Sequence, residues 1–327
     1  VNDAIRAGRI IGAPGPSVEH GTCTVCAAAK LHQAARRTST EYAPTCIGEF
    51  VHVDCMTSNI VSSSGYKYIL GFVDAKSGAT VSIKMKKRSD AGKALELFMQ
   101  TVAASGWFSS PGFSHCTFFS DNEFVDGSFQ AMAQKLNQKC IETHGTDGPS
   151  VGFKYCSPHS SFSNGKVERS FRAISNMTRC MLFSAGVSAK YWDLAYAHAT
   201  YVHNCIPTAA TGGISPYEQV HGKPPDVSKL LPFGAIVAKW KYAEQRKKWD
   251  PKASFVVFVG VNPLHPSASI QVLDLHTKQI TNTRSYRPIV ADPHDTRTLM
   301  ERWKAASVEC PLPAHIDLDQ EGTPFLP

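Results

Sequence analysis

In residues 50–56, FVHVDCM, side chains alternate along an extended chain: Val51 and Val53 fall on one face, and Phe50, His52, Asp54 and Met56 on the other. The runs YKYILGFVDA and ATVSIKMK read as two more strands, with SSSG and KSG as the turns between them. SDAGKALELFMQTVAAS then changes period. Ala94, Leu95, Leu97 and Phe98 form a helical apolar face, with Ser89 as the expected cap. HCTFFSD predicts a fourth strand, GSFQAMAQKLNQK a second helix and FKYCSP a fifth strand. Two further helices come next, NGKVERSFRAISNMTRCMLFSAG and SAKYWDLAYAHATYVHNCI; the first carries Val167, Phe171, Ile174 and Thr178 as its inward stripe.

The order βββαβαβαα predicts an α/β unit. Three strands joined by tight turns form an antiparallel meander, and later strands join through helical crossovers. The expected architecture is a ribonuclease H-like core with a mixed five-stranded sheet, spanning 48–207. Residues 208–232 are rich in Pro and Gly and read as a linker. AIVAKWK, ASFVVFVGV, ASIQVLDL and KQITNTRSY are short strands at barrel-like spacing, which predicts a small SH3-like β-barrel over 233–290. Residues 291–327 read as an irregular tail. Residues 1–47 hold a helical segment and the CTVC knuckle of Cys23 and Cys26; because the chain starts with Val1, this segment is expected to be incomplete.

Composition excludes few classes: 43% of residues are hydrophobic and 19% charged, as in ordinary globular domains. No apolar run approaches the roughly 18–20 residues of a membrane span, so no membrane partner is expected. Most of the ten cysteines are scattered among apolar segments, which favours buried free thiols over a disulfide framework. Charge is more telling. Residues 222–290 contain 11 Lys or Arg and 4 Asp or Glu, an excess of seven, and this equals the net +7 of the whole chain. A basic module of this kind is suited to a polyanion. Within it, KWKYAEQRKKW interleaves Lys239, Lys241, Arg246, Lys247 and Lys248 with Trp240, Tyr242 and Trp249; the bases suit a DNA backbone, and the aromatics are expected in the barrel core.

Three acids stand out. Asp54 lies within the first strand, where Asp is disfavoured. Asp121 closes the fourth strand, and Glu168 lies one turn into the helix that Asn164 is expected to cap. The first and fourth strands are neighbours in the expected fold, so their acids can meet at one edge. Glu168 has a plainer reading as a helical ion pair with Arg172, worth about 0.2–0.5 kcal/mol. Together the three make an oxygen cage suited to two Mg2+ or Mn2+ ions. Lys166, Arg169 and Arg172 around Glu168, with Asn164, are candidates to hold DNA phosphates.

VHVDC, YKYILGFVDAKSG, FFSDNEF, SPHSSFSNGKVERSFR and YWDLAYAHATYVHNCIPT resemble, in order, the catalytic core of copia-type LTR retrotransposon integrases. SPYEQVHGKPPDVSKLLPFGAIV and VLDLHTKQITNTRSY resemble the region C-terminal to that core in the same family. The resemblance implies a DDE integrase that trims the 3′ ends of element DNA and joins them to target DNA, with Asp54, Asp121 and Glu168 as its acids. It also implies a zinc knuckle at Cys23 and Cys26, synthesis in the cytoplasm as part of a polyprotein, work in the nucleus on double-stranded DNA, and a homo-oligomer. The chain departs from the family in three places. Between Asp121 and Glu168 lie 46 residues, more than the family usually has. DNEF lacks the family's two glycines after Asp121, and His20 is the one histidine upstream of the Cys pair, where the family has two. These departures motivate the alternative of a catalytically inactive DNA-binding or assembly protein derived from an integrase. A ribonuclease H-type nuclease is a weaker rival.

Overall fold

The computed structural model describes residues 7–8, 44–105, 107, 115–120, 127–144, 150–155, 165–208, 211–228, 230–261, 269–289 and 301. Strands β1 (Phe50–Thr57), β2 (Tyr68–Asp74) and β3 (Thr80–Met85) form an antiparallel meander. Strands β4 (His115–Ser120) and β5 (Ser150–Tyr155) then add in parallel, β4 against β1, giving the order β3-β2-β1-β4-β5. Helix α1 (Ala91–Ala104) connects β3 to β4, and α2 (Gly127–His144) connects β4 to β5. Helices α3 (Gly165–Ala185) and α4 (Trp192–Cys205) come after β5. This is the expected ribonuclease H-like arrangement.

The alternation in β1 divides the two layers. Val51 and Val53 are fully buried with Phe72, Phe98, Phe118 and Phe129 against α1 and α2. Phe72 and Phe98 stack at 4.1 Å, and Phe98 and Phe118 meet edge-on at 5.9 Å. Each fully buried phenylalanine contributes about 1.5–3 kcal/mol, so this layer dominates the stability of the core. The opposite face takes α3 and α4: Ile69 packs with Ile174, Trp192, Tyr196 and Ala199, and Val73 with Val167 and Phe171.

Several local expectations are corrected. Ser89 does not cap α1; it lies in a 3-10 turn, Arg88–Asp90, closed by the Lys87 amide donating to the Asp90 carboxylate at 2.9 Å. Helix α2 runs on to His144 and includes Glu142, which accepts from the Gln138 side chain at 3.0 Å. The segment expected as a linker carries α5 (Pro216–His221). Ser215 caps it by accepting from the Glu218 amide, Pro216 starts it, and Gly222 ends it at a φ of 67° that L side chains rarely adopt.

Strands β6 (Ile236–Trp240), β7 (Ala253–Val261), β8 (Ile270–Leu273), β9 (Ile280–Thr283) and β10 (Tyr286–Pro288) form the second sheet, in the order β10-β6-β7-β8-β9, of the SH3-like kind. One face shares a core with α3 and α4: Phe233, Ile236, Val257 and Val259 pack with Ala185, Leu194 and Ala195. The described cysteines Cys46, Cys55, Cys116, Cys180 and Cys205 are all free thiols. No described helix is long and apolar enough to cross a membrane.

Candidate functional site

Asp54 is the fifth residue of β1, on the face turned towards α3 and α4. Its antiparallel partner is Gly71 in β2, and the residue before it, Val53, pairs with Ser120, the last residue of β4. Asp54 and Asp121 therefore each come directly after a paired residue of two adjacent parallel strands. Asp121 itself lies outside the described residues, as do Asn164, Cys23 and Cys26. The Asp54 carboxylate accepts from the Cys55 amide at 2.7 Å, and His52 on the same face stacks on Phe119, ring centroids 5.5 Å apart.

Glu168 is exposed in the first turn of α3, on the side away from the buried stripe of Val167, Ser170, Phe171, Ile174 and Thr178. Two contacts fix that turn over the sheet. A Cβ at Gly71 would lie 2.6 Å from Cζ of Phe171, so the helix descends onto the strand only because residue 71 is glycine. On the other side of Glu168, the Lys166 ammonium donates to the carbonyl of Ala75, whose own amide donates to the Phe50 carbonyl at 2.8 Å. The Ala75 peptide thus joins the strand that carries Asp54 to the helix that carries Glu168.

Below this joint the Asp74 carboxylate is wholly buried. It accepts from the Gly48 amide at 2.8 Å and from the Ser77 amide and hydroxyl at 2.6 Å each. Burial raises its pKa, with Ser77, Gly48 and Lys166 opposing the shift. Burial likewise lowers the pKa of Lys166, against the pull of Asp74. Through Ser77, Asp74 closes the turn that follows β2. Lys166 is directed into the sheet edge; Arg169 and Arg172 are exposed beside Glu168.

Two groups missed in the sequence feel the Asp54 charge. Burial raises the pKa of the Tyr196 hydroxyl, and Asp54 adds to the rise. Burial also raises that of the Cys55 thiol, with Arg88 opposing and Asp54 adding. Gly71, inside the apolar run YILGFVD, is the one legible signal that something approaches the strand closely. Among the described residues, no three His, Cys, Asp or Glu side chains are grouped to hold a metal. The donor chemistry of Asp54 and Glu168, carboxylate oxygens on facing elements, fits a hard divalent cation.

In the second sheet, Lys239 is half-buried and donates to the Thr281 hydroxyl at 2.8 Å. Lys241 is half-buried, Lys247 and Lys248 are exposed, and the Arg246 guanidinium lies 5.6 Å from the Trp240 ring. The aromatics expected in the barrel core are not there: Trp240 is 44%, Tyr242 65% and Trp249 88% exposed. The core is filled by the aliphatic run of β7 and β8 with Phe258, which leaves the rings of the β6–β7 connection outside.

Comparison with known proteins finds no matching family model. The chain is 28% identical over 245 residues to a retrovirus-related Pol polyprotein from transposon RE2 of Arabidopsis thaliana, covering 75% of this chain and 16% of the relative. The polyprotein from transposon RE1 of the same plant is 28% identical over 239 residues, covering 73% and 15%. The chain therefore spans about a sixth of the length of these curated relatives. Among solved structures, the HTLV-2 integrase catalytic core domain in complex with magnesium matches with 18% identity and a TM-score of 0.37, over 55% of this chain and 99% of that one. A simian T-cell lymphotropic virus intasome chain matches with 13% identity and a TM-score of 0.42, over 80% and 84%.

Proposed function

We propose, from the homology of this chain to a segment of retrovirus-related transposon Pol polyproteins, that it works as a retrotransposon integrase, a polynucleotidyl transferase that trims element DNA ends and joins them to target DNA. The observation that supports this reading best is the pairing of Val53 with Ser120, the residues that directly precede Asp54 and Asp121 in the sequence, on adjacent parallel strands. Glu168 lies in the first turn of α3, the helix that Lys166 and Phe171 hold against this sheet.

Asp54, Asp121 and Glu168 would hold a pair of Mg2+ or Mn2+ ions, which when bound neutralise charge on the reacting phosphate and polarise the attacking oxygen. The chain's own residues supply position. Gly71 sets the depth of α3, and the Ala75 peptide sets its distance from β1. Exposed Arg169 and Arg172 offer charge to the flanking phosphates. Phosphoryl transfer rests on positioning and charge neutralisation and needs no covalent enzyme intermediate. The same reading places the protein on double-stranded DNA in the nucleus, released from a polyprotein and acting as a homo-oligomer, since two element ends are joined together. A zinc ion at Cys23 and Cys26 belongs to the reading only as an incomplete site.

The test is strand transfer of a labelled, pre-trimmed element-end duplex into plasmid DNA with Mg2+ or Mn2+, for the wild type and Glu168→Gln. Joining by the wild type alone supports the integrase. DNA binding with no joining by either protein favours the inactive binder.

A further inference from the structure

The connection between β6 and β7 is a short basic segment whose aromatic rings face water. Its neck is closed by the Lys241 amide donating to the Lys252 carbonyl at 2.9 Å. Tyr242 opens a 3-10 turn, Ala243–Gln245, in which the Gln245 amide donates back to the Tyr242 carbonyl at 3.1 Å. Trp249 lies in the next turn. There the Asp250 amide donates to the Lys247 carbonyl at 3.1 Å and the Lys247 amide to the Asp250 carboxylate at 2.7 Å. Trp249 and Tyr242 are therefore held out on hydrogen-bonded turns, 88% and 65% exposed. Exposing rings of this size to water is unfavourable in the free protein, so their position calls for a partner.

Charge narrows the partner. Residues 239–252 hold six bases (Lys239, Lys241, Arg246, Lys247, Lys248, Lys252) and two acids (Glu244, Asp250), an excess of four. Lys239 is engaged with Thr281 and Arg246 with the Trp240 ring, while the Lys248 ammonium lies 5.2 Å from the Trp249 ring. The partner carries negative charge and offers flat faces to the rings. Duplex DNA satisfies the first condition but hides its base faces in the stack; an acidic peptide offers no such faces.

We propose that this turn binds unpaired nucleotides, with Trp249 and Tyr242 stacking on the bases and Lys247 and Lys248 holding the phosphates. This goes beyond contact with a DNA backbone, and it needs neither the carboxylates nor a metal, so its fate is separable from that of the integrase reading. The site is sequence-tolerant, because every base has a π face.

The test measures equilibrium binding of the full chain, without divalent cations, to labelled oligo-dT, oligo-U and a duplex of equal length, while following tryptophan quenching. Trp249→Leu should weaken binding to the single strands about tenfold, remove most of the quenching, and leave duplex affinity and the salt slope unchanged. Trp249→Phe should restore most of the affinity. Replacing both Lys247 and Lys248 by Ala should instead flatten the salt dependence for single strands, by roughly 0.7 for each phosphate no longer neutralised. Preference between oligo-dT and oligo-U assigns the strand as DNA or RNA. The proposal is overturned if Trp249→Leu weakens duplex and single strand alike or changes neither. It is also overturned if Trp249 responds to phosphatidylserine vesicles or polyglutamate and not to the oligonucleotides.

Discussion

The ring of Phe171 occupies the space that a side chain on Gly71 would need, and Gly71 is the strand partner of Asp54. One glycine therefore sets how closely the helix bearing Glu168 approaches the strand bearing Asp54. Gly71→Ala should cost about 1–3 kcal/mol by overpacking, measured by urea unfolding, and should lower strand transfer further than the stability loss explains. Phe171→Leu in the Gly71→Ala background should recover part of both, because it vacates the colliding atoms.

Lys166 separates two roles that look alike in sequence. Bonded to the Ala75 carbonyl and facing buried Asp74, it should act through the position of α3. Lys166→Met should reduce strand transfer while leaving the salt slope of duplex binding unchanged. A lysine that held a phosphate would instead lower that slope by about 0.9 on removal. Arg172→Met, removing an exposed base, should lower that slope.

His198 lies wholly buried between Phe233 and Phe258, at centroid distances of 6.2 and 5.2 Å, where α4 meets the second sheet. Burial lowers its pKa from 6.5 to about 4. Between these values the unfolded chain binds a proton that the folded chain does not, so stability falls as pH drops from 6.5 to 4 and is unaffected by this group above 6.5. The loss should reach about 3 kcal/mol below pH 4. Denaturant midpoints across that range, compared with His198→Met, should isolate the contribution as a flatter profile in the variant.

Lys84 and Asp193 form an ion pair at 3.3 Å with side chains 5% and 0% exposed, joining β3 to α4. Burial lowers the Lys84 pKa to about 8 despite its partner. Asp193→Asn alone should destabilise by about 3–5 kcal/mol, because it leaves a buried cation. Lys84→Met with Asp193→Leu should be close to neutral. Unfolding free energies of the wild type, Lys84→Met, Asp193→Leu and the double variant give the coupling directly.

Much of this architecture is legible in sequence because it rests on period. Alternation places Val51 and Val53 in the core and Asp54 on the other face, and the helical stripe of Val167, Phe171, Ile174 and Thr178 turns Glu168 outward. The features that escape depend on contacts between distant residues. Phe171 lies 100 positions from Gly71, and Lys166 lies 91 from Ala75; neither pairing leaves a local pattern. The rings of Trp240, Tyr242 and Trp249 defeat sequence reasoning because an aromatic beside a lysine reads the same whether it fills a core or faces water. Helix α5 carries clear capping signals that its Pro- and Gly-rich setting obscures.

The shared packing of Ala185, Leu194 and Ala195 with Phe233, Ile236 and Val257 bears on where this chain can be divided. A cut after residue 207 falls in polar-looking sequence, yet it would leave the outer surface of α3 and α4 as a bare greasy plate. The first sheet isolated that way would be sticky, and the second sheet alone would lack half its floor. The smallest piece that can be handled in solution is the pair.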